Sequence, residues 1–269
     1  MTNSLANQTV LITGASSGIG AVYADRFAKR GYNLVLVARD RTRMEALANR
    51  LRQETGVTVD ILQADLTEMG ELAQVEERLR TDARISVLIN NAGASVASSF
   101  VQQSSDEIAK IISLNITALT RLSSAVAPRF VEAGDGAIIN ISSAVALVLE
   151  FGLTVYGATK AFVLFLSQGL HSELGPKEIY VQAVLPASTR TEIWERSGWD
   201  LNALPPVMEV DDLVDAALVG FDRRETVTIP SLPDAEQWNT FDAARQVMLP
   251  NLNQVHSANR YRLVTSIQE

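Results

Sequence analysis

The chain has 269 residues, 47% hydrophobic and 20% charged, with 23 basic against 31 acidic side chains and a net charge of −8. This composition excludes general disorder, the length allows a full core, and the acidic balance argues against nucleic acid as a partner. The absence of cysteine removes disulfides, thiolate catalysis and cysteine metal sites, and the two distant histidines, His171 and His256, do not suggest a metal centre.

No apolar run approaches the roughly 20 residues that cross a bilayer. Met1 to Gln8 lacks the pattern of a signal peptide, so the expected location is cytoplasmic and off the membrane.

Thr9 to Thr13 (TVLIT) reads as a short strand ending at glycine. Ile19 to Arg30 then has helical spacing, closed by Gly31. Asn33 to Val37 is the next strand. Asp40 stands where a cap belongs, before a helix carrying Met44, Leu47 and Leu51. Val57 to Gln63 is a third strand, and Thr67 is the expected cap of a helix with Leu72, Val75 and Leu79. Ile85 to Asn90 is a fourth strand. A long helical region runs from about Ser105 to Ala133, with a kink or break predicted at Pro128. Ala137 to Ile141 is a fifth strand, Tyr156 to Leu174 a helix and Tyr180 to Leu185 a sixth strand. Asp211 to Phe221 reads as a helix and Thr226 to Ile229 as the last strand.

Repeated strand and helix imply right-handed crossovers. The expected fold is α/β: a doubly wound, parallel seven-stranded sheet with helices on both faces. One domain over 1–269 is expected, ending in a polar, helical tail at about 233–269.

Between the first strand and first helix lies Thr13-Gly14-Ala15-Ser16-Ser17-Gly18-Ile19-Gly20. Glycines there permit a tight turn and close approach to a pyrophosphate, which the free N–H groups of a helix start would hold. A tight turn without a ligand is the alternative. Tyr156 and Lys160, four apart, share a helix face. Ser142 and Ser143 end the fifth strand, at the carboxyl edge where doubly wound sheets place ligands.

The glycine loop, Asn90-Asn91-Ala92-Gly93 and Tyr156-x-x-x-Lys160, in that order, resemble the short-chain dehydrogenase/reductase family over about 8–230. The resemblance implies a Rossmann domain that binds a nicotinamide dinucleotide and moves a hydride between it and a small-molecule carbonyl or alcohol. It assigns Asn115, Ser143, Tyr156 and Lys160 to catalysis. Ser142 is the rival for Ser143. Tyr156 would be the acid and base. A tyrosine has a pKa of about 10, and a nearby Lys160 ammonium favours its ionised form. Asn115 would hold a water linking Lys160 to solvent.

The same resemblance gives Gly14, Ser16, Ser17, Gly18, Ile19 and Gly20 to the pyrophosphate. Asp65 and Leu66 go to the adenine, and Asn91, Ala92 and Gly93 to the adenosine ribose. Tyr156 and Lys160 also hold the nicotinamide ribose. Pro186, Thr189 and Thr191 lie in the segment that takes the carboxamide, although Ala187 stands where the family usually has glycine. Ala38 occupies the position of the acidic residue that selects NAD, and Arg39 follows it. NADP(H) is therefore the expected cofactor, since Arg39 can pair with a 2′-phosphate. NAD(H) stays possible if Asp40 turns inward. Arg41 and Arg43 read as solvated helix-start residues.

A substrate lid is implied at about 187–209, with Trp194 and Trp199. No metal is expected. A non-catalytic dinucleotide sensor, or a binding protein without cofactor, are the competing readings. Ala161 to Leu166 are six apolar residues in a row, which point to every side of their helix. An outer face covered in a homodimer or homotetramer is the expectation, and the tail folding back is the alternative.

Overall fold

The computed structural model describes residues 8–96, 98–192 and 207–262. The β-branched runs form β1 (Thr9–Thr13), β2 (Asn33–Ala38), β3 (Val59–Gln63), β4 (Ile85–Asn90), β5 (Gly136–Ile141), β6 (Ile179–Val184) and β7 (Val227–Thr228). They make one sheet in the order β3-β2-β1-β4-β5-β6-β7. Every pairing is parallel. This is the doubly wound arrangement expected above. The chain runs outward from β1 to β3 and returns to β4 on the other side of β1. A crevice opens between such strands, and the glycine loop and Asn91 leave the carboxyl ends of β1 and β4 beside it.

The helices are α1 (Gly18–Lys29), α2 (Arg41–Thr55), α3 (Met69–Thr81), α4 (Ser105–Ile112), α5 (Leu119–Ala133), α6 (Thr154–Leu174) and α7 (Val210–Asp222). Side chains alternate across a strand, so β1 feeds two cores. Val10 and Ile12 pack with Phe27, Met44 and Leu213 on one face. Leu11 packs with Leu72, Leu122 and Phe130 on the other. The strands β1, β5 and β6 are buried along their length because both faces are covered.

Two expectations need correction. Thr67 does not cap α3; its N–H and hydroxyl both bond Asp65 Oδ1, at 2.9 and 2.7 Å, and the helix starts two residues later. The chain is not broken at Pro128, which lies inside α5. Val126 and Phe130, on either side of it, are both buried in the core. The irregularity comes earlier, as a π-helical turn over Ser113–Ala118 between α4 and α5. The chain divides into two compact units, Met1–Pro230 and Ser231–Glu269, the second covering the expected tail. The second unit carries α8 (Ala235–Gln246) and α9 (Leu249–Leu252), and neither has a buried residue.

Candidate active site

The glycine loop turns sharply because Gly14 and Gly18 take left-handed φ values of 66° and 53°. Gly20 serves closeness instead. A Cβ there would lie 2.4 Å from Gly14 O and 2.5 Å from Asn91 Nδ2. Asn91 pins the loop: its Nδ2 donates to Thr13 O at 2.9 Å and to Gly14 O at 3.2 Å. The Thr13 hydroxyl accepts from the N–H of both Asn91 and Ala92 at 3.0 Å. The first turn of α1 has no acidic residue, and Ser17, its N-cap, makes no side-chain capping bond. Ser16, Ser17 and Ile19 are half-buried beside it. This leaves a helix start suited to an anion.

The next strand end is more open. Ala38 is buried at the end of β2, and Arg39 follows with 72% of its side chain exposed. Its guanidinium lies 3.7 Å from Asp65. Burial works to raise the Asp65 carboxyl, but hydrogen bonds from Thr67 and the charge of Arg39 outweigh it, so it sits below the usual range. Leu66 is in the core. Asp40 caps α2, accepting from the Arg43 N–H at 3.0 Å. The neighbouring arginines are engaged: Arg41 with Glu45 at 2.7 Å, and Arg43 with Glu192 at 2.8 Å.

Ser143, Tyr156, Lys160 and Asn115 come together beyond the ends of β4 and β5. The phenol of Tyr156 is pushed up to about 12 by burial, while hydrogen bonding with Ser143 pulls it down. Burial alone takes Lys160 down to about 8. The Lys160 ammonium donates to Ile141 O at 2.9 Å and lies 5.7 Å from the Tyr156 ring centre. The two serines at the strand end differ in commitment. Ser142 is tied into the helix backbone, donating to Lys160 O at 2.7 Å. Ser143 makes only long bonds besides its contact with the phenol, donating to Pro186 O at 3.3 Å and accepting from the Val145 N–H at 3.4 Å.

Asn115 is buried at the centre of the π turn. Its side chain accepts from Ala94 N–H and donates to Ala94 O, both at 2.9 Å. A Cβ on Gly93 would stand 3.4 Å from both Asn115 Oδ1 and Lys160 Nζ, so this glycine lets the two approach. After β6, Pro186 O accepts the Ala144 N–H at 2.8 Å, which joins that segment to the end of β5. The Thr189 hydroxyl donates to Ala187 O at 2.9 Å, and Thr191 lies against Gly18. A cavity of about 450 Å³ is lined by Gly18, Ala21, Arg190, Thr191 and Glu192. Trp194 and Trp199, and most of the lid, lie outside the described residues.

Sequence reasoning passed over two hydroxyls that organise the site, those of Thr13 and Thr159. Thr13 carried a usable signal, a polar β-branched residue ending a buried strand. It also passed over a buried polar ladder beneath the site, in which Asn90 Nδ2 donates to Asn140 Oδ1 at 2.9 Å and Asn140 Nδ2 to Ser167 Oγ at 2.9 Å.

A family model described as short chain dehydrogenase matches residues 8–201. Human 17-beta-hydroxysteroid dehydrogenase type 3 is 35% identical over 186 residues, covering 68% of this chain and 60% of that protein. The very-long-chain 3-oxoacyl-CoA reductase of Anas platyrhynchos is 35% identical over 190 residues, with the same coverage. The matches thus span about 60% of the length of these curated relatives. Among solved structures, a short-chain dehydrogenase from Sphingobium yanoikuyae in complex with NADPH is 65% identical with a TM-score of 0.94, covering 95% of this chain and 100% of that one. A bulky-bulky ketone specific alcohol dehydrogenase from Comamonas testosteroni is 59% identical with a TM-score of 0.89, covering 95% and 99%.

Proposed function

The chain belongs to the short-chain dehydrogenase family, and on that premise we propose that it is an NADP(H)-dependent oxidoreductase acting on a carbonyl or alcohol. The observation that carries this reading is the Tyr156 phenol, hydrogen-bonded with Ser143 and set beside Lys160. A sensor has no use for such an arrangement.

The residues suit the cofactor. The left-handed glycines and the acid-free start of α1 fit a pyrophosphate, held by Gly14, Ser16, Ser17, Gly18, Ile19 and Gly20. Ala38 offers no carboxylate to repel a 2′-phosphate, and exposed Arg39 offers a guanidinium to bind it. Asp40, engaged as a cap, does not turn inward. Asp65 and Leu66 would flank the adenine, and Asn91, Ala92 and Gly93 the adenosine ribose. Pro186, Thr189 and Thr191 would meet the carboxamide, and Tyr156 and Lys160 the nicotinamide ribose. When bound, NADP(H) supplies or accepts the hydride.

The chain's own groups handle the proton. In reduction, Tyr156 donates from its phenol to the carbonyl oxygen, and in oxidation it takes the proton back. At about 12, the phenol is protonated at neutral pH and ready to donate. Ser143 polarises the same oxygen through its hydroxyl. Lys160 lowers the cost of the phenolate, and Asn115 links Lys160 to solvent through a water.

The Comamonas relative's description makes a ketone with two bulky substituents the first substrate to try. The test is a screen of carbonyl compounds with NADPH, read as loss of cofactor absorbance. Consumption with a ketone is expected. No turnover in either direction, with NADPH binding retained, would favour the sensor.

The assembly forms part of this proposal. Phe165 on α6 is 75% exposed, and Phe162 beside it is also exposed, so the outer face of this helix suits a two-fold contact in a homodimer or homotetramer. Light scattering that gives the mass of one chain rejects the oligomer. The proposal also keeps the cytoplasmic location, which cell fractionation tests.

A further inference from the structure

Thr159 takes no part in the chemistry proposed above, yet it is only 2% exposed and lies between Tyr156 and Lys160. Its hydroxyl donates to the Tyr156 carbonyl at 2.7 Å. A threonine bonding its own helix in this way is ordinary. The second bond is not. Asn115 Nδ2 donates to the same hydroxyl at 3.0 Å, from a different helical segment.

The polarity of this chain of bonds has one solution. An amide nitrogen only donates, and a hydroxyl has one proton. The Thr159 proton must therefore go to Tyr156 O, and its lone pair to Asn115. The remaining Asn115 groups are engaged with Ala94, through Oδ1 and the second Nδ2 proton. Exchanging the amide oxygen and nitrogen would break both Ala94 bonds, and it would keep the Thr159 contact only by taking that hydroxyl's proton away from Tyr156 O. A continuous path thus runs from the loop after β4, through the π turn, to the turn of α6 that bears Tyr156 and Lys160. Its centre, the Asn115–Thr159 bond, is buried, where an orphaned donor is costly.

We propose that Thr159 is a positioning residue: its hydroxyl fixes the orientation of the Asn115 amide and locks the Tyr156–Lys160 turn to the loop at Ala94. This rests on the oxidoreductase reading for its kinetic consequence, but not for its structural one. Without the hydroxyl, Asn115 keeps a buried N–H with no acceptor and turns to find another. The phosphate loop, β2 and Arg39 are untouched, so most of the cofactor's contacts, and with them its affinity, stay while the chemical step at Tyr156 slows.

The full-length Thr159→Val and Thr159→Ser variants test this. With NADPH and a ketone that the natural protein reduces, Thr159→Val should lose about 10- to 100-fold in kcat. KM for ketone and NADPH, and the Kd for NADPH from its fluorescence, should stay within about twofold. Thr159→Ser keeps the hydroxyl and should restore kcat to within about threefold. Hydrogen exchange gives a readout without turnover. The Ala94 amide, bonded to Asn115 Oδ1, should exchange about 10-fold faster in Thr159→Val and at the natural rate in Thr159→Ser. If Thr159→Val does not fold, Thr159→Ala is read by the same measurements.

Natural-like kcat and Ala94 exchange in Thr159→Val would overturn the proposal. So would equal losses in Thr159→Val and Thr159→Ser, since packing and not the hydroxyl would then matter. If the natural protein reduces no carbonyl compound, the oxidoreductase reading falls, and the exchange measurement alone decides whether Thr159 positions Asn115.

Discussion

The two ends of the crevice are built on opposite principles. At the catalytic end, Asn115, Ser142, Thr159 and Lys160 are buried, and each makes a hydrogen bond of 3.0 Å or shorter. At the β2 end, Arg39 stands in solvent with a 3.7 Å contact as its ion pair. Buried polar groups must be paired in advance because an unpaired one is costly there. An exposed guanidinium can wait for a ligand at little cost, because water solvates it. The chemistry is thus preorganised, whereas cofactor choice is left to a solvated charge. Changes at the buried end should be large and insensitive to salt, and changes at the open end small and salt-dependent.

The sharpest test is Tyr156→Phe, which keeps the ring and removes the proton. Turnover should fall by about 10²- to 10⁴-fold, with NADPH binding and melting temperature nearly unchanged. Substantial residual kcat would mean that another group supplies the proton and that the buried cluster is structural.

Lys160→Met should expose the cost of preorganisation. The folded value of about 8 lies below the usual 10.5, so the folded state binds fewer protons than the unfolded chain between them. Stability therefore rises with pH across that window, and the full penalty, about 3 kcal/mol, applies below pH 8. Losing the bond to Ile141 O offsets about 1–3 kcal/mol of the relief. The variant should be at least as stable as the natural protein at pH 7 in urea unfolding. Its advantage should shrink or reverse by pH 10. A difference that is flat with pH would contradict a depressed, buried ammonium.

Gly20→Ala acts where the two ends meet. Its Cβ would strike Gly14 O and Asn91 Nδ2, both part of the strap under the glycine loop. A cost of about 1–3 kcal/mol is expected, shared between folding and NADPH affinity. Calorimetric titration and thermal melting would read the two parts, and unchanged values in both would remove the strap from the binding site.

The smallest effect belongs to Arg39→Ala. NADPH should bind about 10-fold more weakly, with NADH nearly unaffected, and the difference should fade as salt is raised. Equal losses for both cofactors would show that Arg39 does not read the 2′-phosphate.

Much of this was legible along the chain because it is local. The strand and helix periods gave the βα alternation and the placement of the glycine loop. The four-residue spacing put Tyr156 and Lys160 on one face, and Asp40 sits at its helix start as a cap should. Tertiary structure decided what depended on distant partners. Ser142 differs from Ser143 because the backbone of α6, 18 residues on, takes its hydroxyl. The Asn115 amide is oriented by Ala94 and by Thr159, 21 and 44 residues away. The Thr67 hydroxyl is taken by Asp65 and so does not cap the helix, and Pro128 lies inside a helix rather than ending one. The sequence by itself determined which residue types could meet at the end of the sheet, through backbone periods that a short window carries. Only the folded chain decided how their protons are shared and how far burial shifts Tyr156 and Lys160, because both depend on what excludes water from the whole surroundings.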